Sequence, residues 1–399
     1  MNDLTRPFSL DTYLADLAPL INLDCGTRTP AGVARVADIM TEKYEAIGWQ
    51  VTRHQFAAEC GPCLEATNAP GADHYDVMLV GHMDTVFPEG TAAKRPLKVE
   101  GNQAFGPGVS DMKSGLLSTW YALKGMDPAL LARLKVLVCC NCDEEIGSPW
   151  SRDWLVAKAK QSGCVLVAEA ARPSGDLISA RKGNAKYRIR FHGKASHAAM
   201  TPEEGRSAFD AVLLSFNGIE FLREHVKEDT RIHYTVRDAG GAPNVVPDTA
   251  VAEYTLRSYS TDYLESIVTR FKNILKGAAL MTDTTFTLKR DLPFKAKIPC
   301  HTLNDLVMRQ AVASGAPQIA PPREKTGSTD FGNVMRHVPG TCIRVAFVPE
   351  GAAAHSQEYL DAGKTEAAHN AVVYGAKILA LTGAQLIENP EKLEAIKKE

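Results

Sequence analysis

Apolar residues in the first part of the chain switch between helical spacing and short continuous runs. Helical spacing repeats every third or fourth residue, whereas an apolar run of about four to eight residues is typical of a buried strand. The predicted helices cover residues 8–22, 32–47 and 114–123, and the predicted strands cover 76–80, 135–142 and 164–168. Thr29-Pro30 fits the start of the second helix. Buried strands that alternate with helices indicate a mostly parallel sheet covered on both faces.

The pattern changes near residue 184. From there, partly alternating strands and two long helices follow in the order strand, helix, strand, strand, helix, strand, which is the ferredoxin-like arrangement. These segments are residues 185–191, 206–225, 231–236, 251–258, 261–280 and 284–290. After Pro293 the first pattern resumes, with helices from Leu303 and over 365–381 and a strand over 342–347.

We therefore predict two domains of the α/β class. Residues 1–183 and 295–399 form the larger domain, and residues 184–294 form a smaller α+β domain inserted into it. The tail from Asn389 is rich in charge and is expected to fray.

Charge and cysteine content narrow the partners and the compartment. The 399 residues carry 45 Lys+Arg against 47 Asp+Glu, a net charge of −2, which argues against nucleic acid or an anionic membrane as the main partner. The start lacks the features of a secretory signal, and no apolar stretch reaches the roughly 18 residues of a membrane span. We expect a reducing cytoplasm for the nine cysteines.

One cysteine pair has a spacing that can carry chemistry. Cys60-Gly61-Pro62-Cys63 has the spacing of a zinc knuckle or a redox motif, but the sequence has no second pair. A structural role is therefore the favoured interpretation. Cys139, Cys140 and Cys142 lie in a strand-like run and are expected to pack as small hydrophobic residues.

Acidic and imidazole side chains recur where predicted strands end. They lie in the segments His82-Met83-Asp84, Ser110-Asp111-Met112-Lys113, Asp143-Glu144-Glu145, Ala168-Glu169 and Ala354-His355-Ser356. Because sites in open α/β sheets gather at the carboxyl ends of the strands, these distant segments can converge. Each segment is a weak indication alone, but two histidines and three acids together supply two ligand sets and a bridging carboxylate for a pair of zinc ions.

The sequence resembles the dinuclear zinc carboxypeptidase and aminoacylase family, and is closest to glutamate carboxypeptidases of the carboxypeptidase G type. The matching stretches are GHMDTVFPEGTAAKRPLKVEGNQAFGPGVSDMKSG, NCDEEIGS, AEA, GKASHA, GGAPNVVP, GSTD and AHSQEYL. They occur in the same order over almost the whole chain. The resemblance implies a zinc-binding catalytic domain, residues 1–183 and 295–399, interrupted by a lid domain that often dimerises.

The resemblance also implies roles for the acidic and imidazole residues. His82 and His355 bind one zinc each, Asp111 bridges both, and Glu145 and Glu169 complete the two sets. Glu144 is the general base. Asp84 accepts a hydrogen bond from the His82 ring and fixes its tautomer. The peptide bond after Asp111 is often cis in the family. Cobalt or manganese could replace zinc in such a site.

In the lid, the resemblance assigns contacts with the substrate. His197 stabilises the oxyanion, often from the partner subunit, while Arg257 and Asn244 contact the substrate carboxylate. The loop residues Gly327, Ser328 and Thr329 lie near the substrate. The expected activity is hydrolysis of an amide bond next to a free carboxylate, which releases an amino acid such as glutamate from N-acyl, peptidyl or folyl conjugates.

Several alternatives stay open on the sequence alone. An aminoacylase or amidohydrolase acting on N-acyl amino acids, including aromatic ones, needs the same metal residues. A dipeptidase or tripeptidase also needs a site for a free amine, and no residue can be assigned to it. A catalytically silent binding protein is a further alternative, although the candidate base and ligands are all present.

Overall fold

A computed structural model describes residues 9–100, 103–167, 181–291, 293–316, 332–342 and 366–399. The chain divides into two compact units. The first comprises Met1–Ser179, Ile298–Lys325 and Asn333–Glu399, and the second comprises Ala180–Lys297 and Thr326–Gly332.

A six-stranded sheet forms the centre of the first unit. Its strands are β1 (Gln50–His54), β2 (Cys63–Thr67), β3 (Tyr75–His82), β6 (Val136–Asn141), β7 (Ser162–Val167) and β12 (Gly340–Cys342), and a separate hairpin pairs β4 (Lys98–Glu100) with β5 (Gln103–Phe105). The order across the sheet is β1-β2-β6-β3-β7-β12. The last four are parallel, whereas β1 and β2 run antiparallel at one end.

Helices surround this sheet. They are α1 (Leu10–Ile21), α2 (Pro30–Ala46), α3 (Thr91–Lys94), α4 (Ser114–Gly125), α5 (Pro128–Leu131), α6 (Arg152–Lys160), α9 (His301–Ala313), α10 (Gly332–Met335), α11 (Glu366–Glu388) and α12 (Pro390–Lys398). Every residue of β6 and β7 is buried, as expected for strands with both faces covered. The predicted mostly parallel α/β class is confirmed.

The expectation of a fraying tail is wrong. From Pro390 the chain forms α12, in which Leu393 and Ile396 belong to the core of the first unit. The Glu399 carboxylate then accepts hydrogen bonds from the backbone N–H groups of His301 (2.7 Å) and Thr302 (2.9 Å), at the start of α9. The expectation rested on the high charge of this segment, but Leu393 and Ile396 are three positions apart and therefore share one helical face that can pack.

The second unit is a four-stranded antiparallel sheet with two helices. In chain order its elements are β8 (Gly183–His192), α7 (Ala208–Glu224), β9 (Arg231–Asp238), β10 (Thr249–Ser258), α8 (Thr261–Met281) and β11 (Thr285–Arg290). The strand order is β11-β8-β10-β9. Alternate residues of β8 and β10 pack with α7 and α8 in a core of their own. The predicted ferredoxin-like arrangement is confirmed.

None of the helices in the described ranges combines the length and the apolar character that crossing a bilayer requires.

Candidate metal centre

The carboxyl end of β3 brings the first histidine to the site. His82 is the last residue of β3, and its register partner in the parallel strand β6 is Asn141. The chain after β6 therefore leaves the sheet beside His82. Because parallel strands end at one edge, the segment Asp143-Glu144-Glu145 follows β6 at the edge where His82 lies.

The segment Val109–Lys113 precedes α4 and contains a cis peptide bond between Asp111 and Met112. The Met112 sulfur accepts a hydrogen bond from the backbone N–H of His82 at 3.1 Å. Gly81 permits this close packing, because a Cβ there would lie 2.7 Å from Leu116 Cδ2 and 2.9 Å from Met112 Cε. The glycine before His82 thus lets β3 lie against the segment that carries Asp111.

Three ligand-type side chains meet at this edge. One ligand atom each of His82, Asp111 and Glu145 lies within 4.8 Å of the others. His82 Nε2 is 3.0 Å from Asp111 Oδ1 and 4.0 Å from Glu144 Oε2. The expected base, Glu144, therefore lies next to three of the five expected metal ligands.

Asp84 connects the histidine to the acidic loop. It is fully buried, and its Oδ1 lies 3.3 Å from His82 Nδ1, while its backbone carbonyl lies 3.0 Å from the same nitrogen. The Asp84 carboxylate also accepts hydrogen bonds from the backbone N–H groups of Glu144 and Glu145, both at 3.2 Å. One buried carboxylate thus orients the imidazole and holds the backbone of both loop glutamates.

Thr27 and Asp143 also support this edge of the sheet, although no role was expected for either residue. The buried Thr27 hydroxyl donates to Asp84 Oδ2 at 2.7 Å. The Asp143 carboxylate accepts from the Ser151 hydroxyl and from the backbone N–H groups of Trp150 (2.7 Å) and Ser151 (3.2 Å), so it closes the turn that bears Glu144 and Glu145. Asp143 could have been noticed as the third acid of its run, whereas no local sequence feature marks Thr27.

The electrostatics of this edge favour a bound cation. Burial disfavours a charged imidazole, yet hydrogen bonds with Asp111 and Asp84 raise the pKa of His82 well above its usual value. The negative potential that holds a proton there equally attracts a metal ion. Imidazole nitrogen and carboxylate oxygen are good zinc ligands, so the residues present fit the metal that the sequence predicts.

Five of the predicted site residues lie outside the described residues. They are Glu169, His355, Gly327, Ser328 and Thr329. The predicted site residues described in the first unit are therefore His82, Asp84, Asp111, Glu144 and Glu145.

The remaining three predicted residues lie in the second unit. His197 and Asn244 are both exposed. Their segments are paired, since the backbone N–H of Ala198 donates to the Asn244 carbonyl at 2.9 Å. Arg257 lies on β10, opposite Asn184 of β8 and Arg231 of β9. Its Nε is buried and has no hydrogen-bond partner among the described residues.

A histidine and two acidic side chains that can hold a metal ion, with a further glutamate beside them, form a candidate hydrolytic metal site. The sequence matches the Peptidase family M20/M25/M40 over residues 78–381. The chain therefore belongs to this family of metal-dependent peptidases and amidohydrolases.

Individual relatives show how far the similarity extends. The chain is 32% identical to carboxypeptidase G2 of Pseudomonas sp. (strain RS-16) over 249 residues, 60% of this chain and 58% of that protein. It is 30% identical to the Xaa-Arg dipeptidase of Mus musculus over 224 residues, 53% of this chain and 50% of that protein. The matches thus span little more than half the length of these relatives.

The fold is shared more widely than the sequence. An aminopeptidase of Bacillus cereus superimposes with a TM-score of 0.69 at 16% identity, covering 95% of this chain and 99% of that one. This likeness shows the fold alone.

Proposed function

We propose that this enzyme is a two-zinc carboxypeptidase that cleaves the amide bond next to a free carboxylate. It releases a C-terminal amino acid such as glutamate from N-acyl, peptidyl or folyl conjugates. The observation that carries the proposal is the convergence of His82, Asp111 and Glu145 beside Glu144. The similarity to carboxypeptidase G2 favours the carboxypeptidase activity among those of the family.

His82, Asp111 and Glu145 contribute ligands for the metal ions, and His355 and Glu169 complete the sets. When bound, the ions lower the pKa of a water and polarise the carbonyl group of the substrate. The Glu144 carboxylate accepts the proton of the attacking water and then delivers it to the leaving amine. Asp84 holds His82 Nδ1, which would leave the Nε2 lone pair available to bind a metal ion.

Residues of the second unit recognise the substrate. The guanidinium of Arg257 binds the free carboxylate and Asn244 donates to it, since planar guanidinium and amide groups suit carboxylate oxygens. The Nε of Arg257 has no hydrogen-bond partner within the described ranges, which supports this role. His197 stabilises the oxyanion, and the loop residues Gly327, Ser328 and Thr329 lie beside the substrate.

Hydrolysis of a small panel tests the substrate class. The zinc-loaded enzyme is incubated with a folyl glutamate, with N-acyl amino acids bearing acidic, aromatic or aliphatic side chains, and with di- and tripeptides. The control is chelated enzyme. We expect chelator-sensitive release of glutamate from the folyl compound.

The other outcomes separate the alternatives. Activity confined to N-acyl amino acids identifies an aminoacylase, and activity confined to short peptides identifies a dipeptidase or tripeptidase. The latter has its own support in the similarity to the Xaa-Arg dipeptidase. An absence of metal-dependent activity on a broader panel contradicts the proposal and favours a silent binding protein. Reloading the chelated enzyme with zinc, cobalt or manganese identifies the metal.

The enzyme is further proposed to be a homodimer through the lid domain, residues 184–294. Large apolar side chains are exposed on both helices of the second unit: Leu213 (44%) and Phe221 (75%) on α7, Leu280 (84%) and Met281 (74%) on α8. Exposed apolar groups of this size favour a partner surface. Light scattering should give twice the mass of one chain, and a monomer mass at micromolar concentration contradicts the proposal.

A cytoplasmic location completes the proposal. All nine cysteines lie in the described part of the chain, and each is buried and free, which suits a reducing compartment. Cell fractionation tests it, and recovery of the protein outside the cytoplasm contradicts it.

A further inference from the structure

The fold brings a third cysteine to the Cys60-Gly61-Pro62-Cys63 motif. Cys63 is the first residue of β2, whose partner strand β6 ends at Asn141, and Cys142 comes next in the chain. All three thiols are buried, with 1% exposure for Cys60 and none for Cys63 or Cys142. The thiol that lies against Cys63 thus belongs to the residue that follows the neighbouring strand β6.

One contact between two thiols joins the motif to the segment that follows β6. Cys63 Sγ donates a hydrogen bond to Cys142 Sγ at 3.5 Å. Cys60 Sγ donates to the Ala57 carbonyl at 3.4 Å. Gly61 lets the turn approach α2, because a Cβ there would lie 2.5 Å from Val33 Cβ. The motif is therefore fixed in place, with Cys63 facing Cys142.

Cys142 is covalently connected to the catalytic loop. It directly precedes Asp143, whose carboxylate is held by Ser151 and Trp150, and the next two residues are Glu144 and Glu145. The backbone N–H groups of both glutamates are bonded to Asp84. A displacement at Cys142 therefore reaches the general base and a metal ligand through only a few bonds.

We propose that Cys63 and Cys142 form an oxidation site, at which a peroxide converts the two thiols into a disulfide and thereby inactivates the enzyme reversibly. The proposal goes beyond amide hydrolysis. The site takes hydrogen peroxide or a small organic peroxide, because only a small neutral oxidant suits a buried site.

The reaction balances with peroxide as the two-electron oxidant. One thiol attacks the O–O bond, which breaks, and the sulfur becomes a sulfenic acid while one water (or alcohol) leaves. The second sulfur attacks the sulfenic sulfur, the S–S bond forms, and the hydroxyl leaves as water with the remaining thiol proton. A dithiol reductant returns two electrons and two protons. Burial raises the pKa of Cys60 to about 11, and a hydrogen bond with Cys63 together with burial raises the pKa of Cys142, so the thiols react slowly and an excess of peroxide is needed.

Bond formation draws Cys142 toward β2 from the present contact distance and shifts the loop that follows. We expect turnover to fall at least about tenfold, since a displacement of about 1 Å can cost roughly 10²-fold in rate. The Glu145 carboxylate moves with the loop, so zinc should also pass more quickly to a competing chelator.

The test treats the full-length, zinc-loaded enzyme with peroxide and reads out three quantities. Peptide mapping identifies the linked cysteines, a chromogenic chelator follows zinc release, and hydrolysis follows turnover. The first two readouts need no substrate, so they hold even if the proposed substrate class is wrong. We expect a peptide pair linked through Cys63 and Cys142, faster zinc release, and recovery after treatment with dithiothreitol.

Matched variants separate this site from general oxidation. C63S should resist inactivation, whereas C164S, which removes a buried thiol in β7, should behave like the wild type. Equal inactivation of C63S overturns the proposal. A link between Cys60 and Cys63 also overturns it, as does a Cys63–Cys142 link that leaves zinc release and turnover unchanged.

Discussion

Asp84 in the first unit and Glu253 in the second are both buried carboxylates, with exposures of 0% and 5%, but their surroundings differ in charge. Glu253 lies between two guanidinium groups, Arg188 at 2.6 Å and Arg237 at 2.8 Å. Asp84 is bonded to a hydroxyl, two amides and an imidazole.

The difference lies in the sign of the neighbouring charges. Around Glu253 the protein supplies more positive charge than the carboxylate needs. Around Asp84 the neighbouring ionisable side chains include Asp111, Glu144 and Glu145, and the imidazole is the group they surround. Several carboxylates around one buried imidazole suit a bound cation, so this cluster is a candidate functional site, whereas Glu253, which two guanidinium groups hold, is structural.

The largest expected effect separates chemistry from metal binding. Glu144→Gln keeps the shape and the backbone N–H that bonds to Asp84, but it cannot accept the proton of water. We expect kcat to fall by about 10²–10⁴-fold with zinc content unchanged, as measured by steady-state kinetics and elemental analysis. Glu145→Gln is the matched control, which should weaken zinc binding instead. Near-normal turnover of the Glu144 variant would falsify the mechanism.

Asp84→Asn tests whether one carboxylate supports the whole edge. The variant amide has only one acceptor oxygen and presents an NH₂ group to a region filled with donors. We expect zinc affinity to fall about 10–100-fold, the range for partners of metal-bound histidines. Competition with a chelator measures it. Unchanged affinity would show that the fold positions His82 without Asp84.

Thr27→Val tests the hydrogen bond from Thr27 to Asp84, which supports the metal site only through Asp84. Valine matches the shape of threonine but loses the hydroxyl that donates to Asp84 at 2.7 Å. A hydrogen bond to a charged group contributes about 1.5–3 kcal/mol. We expect most of this amount to be lost from the free energy of unfolding, together with about a fivefold loss in zinc affinity. Thr27→Ser should restore both. If the serine variant is as weak as the valine variant, packing rather than the hydroxyl is responsible.

The sequence predicted the helices and buried strands whose apolar pattern is local. It missed β2, in which Glu65 is buried because it pairs with His54 at 2.9 Å and Lys158 at 2.7 Å. Those partners lie 11 and 93 positions away, so no local pattern indicates that a glutamate belongs inside a strand. The same limit explains α12, where two apolar residues among many charges pack against the first unit.

As with the fold, only part of the candidate site could be predicted from the sequence. His82, Asp111 and Glu145 follow strands or precede a helix, and their positions alone suggested that they converge. Thr27 donates across 57 positions, and Cys63 meets Cys142 across 79, so both contacts depend on how strands and loops are paired. Chemistry carried by the ends of strands is visible in sequence, whereas supporting contacts such as that of Thr27 with Asp84 depend on distant parts of the chain and appear only in three dimensions.

The smallest expected effect concerns Glu253. Glu253→Gln leaves Arg188 and Arg237 without their shared carboxylate, but both guanidiniums are more than half exposed, so water compensates most of the loss. We expect about 1 kcal/mol of lost stability in urea unfolding and no change in zinc affinity.

The stability that Glu253 contributes depends on pH, and the direction follows from its pKa. The hydrogen bonds from Arg237 and Arg188 hold the pKa of Glu253 below its usual 4.5. The stabilisation is therefore present above pH 4.5 and disappears as the pH falls through the lowered pKa of the folded state. Wild type and variant should thus converge in acid. Asp283→Asn is the control. Asp283 pairs with Arg206 but is 80% exposed, and its positive φ is one that asparagine also tolerates. This variant should change stability little. A change in zinc affinity in the Glu253 variant would show that the second unit contributes to the metal centre, and the contrast between the two carboxylates would no longer hold.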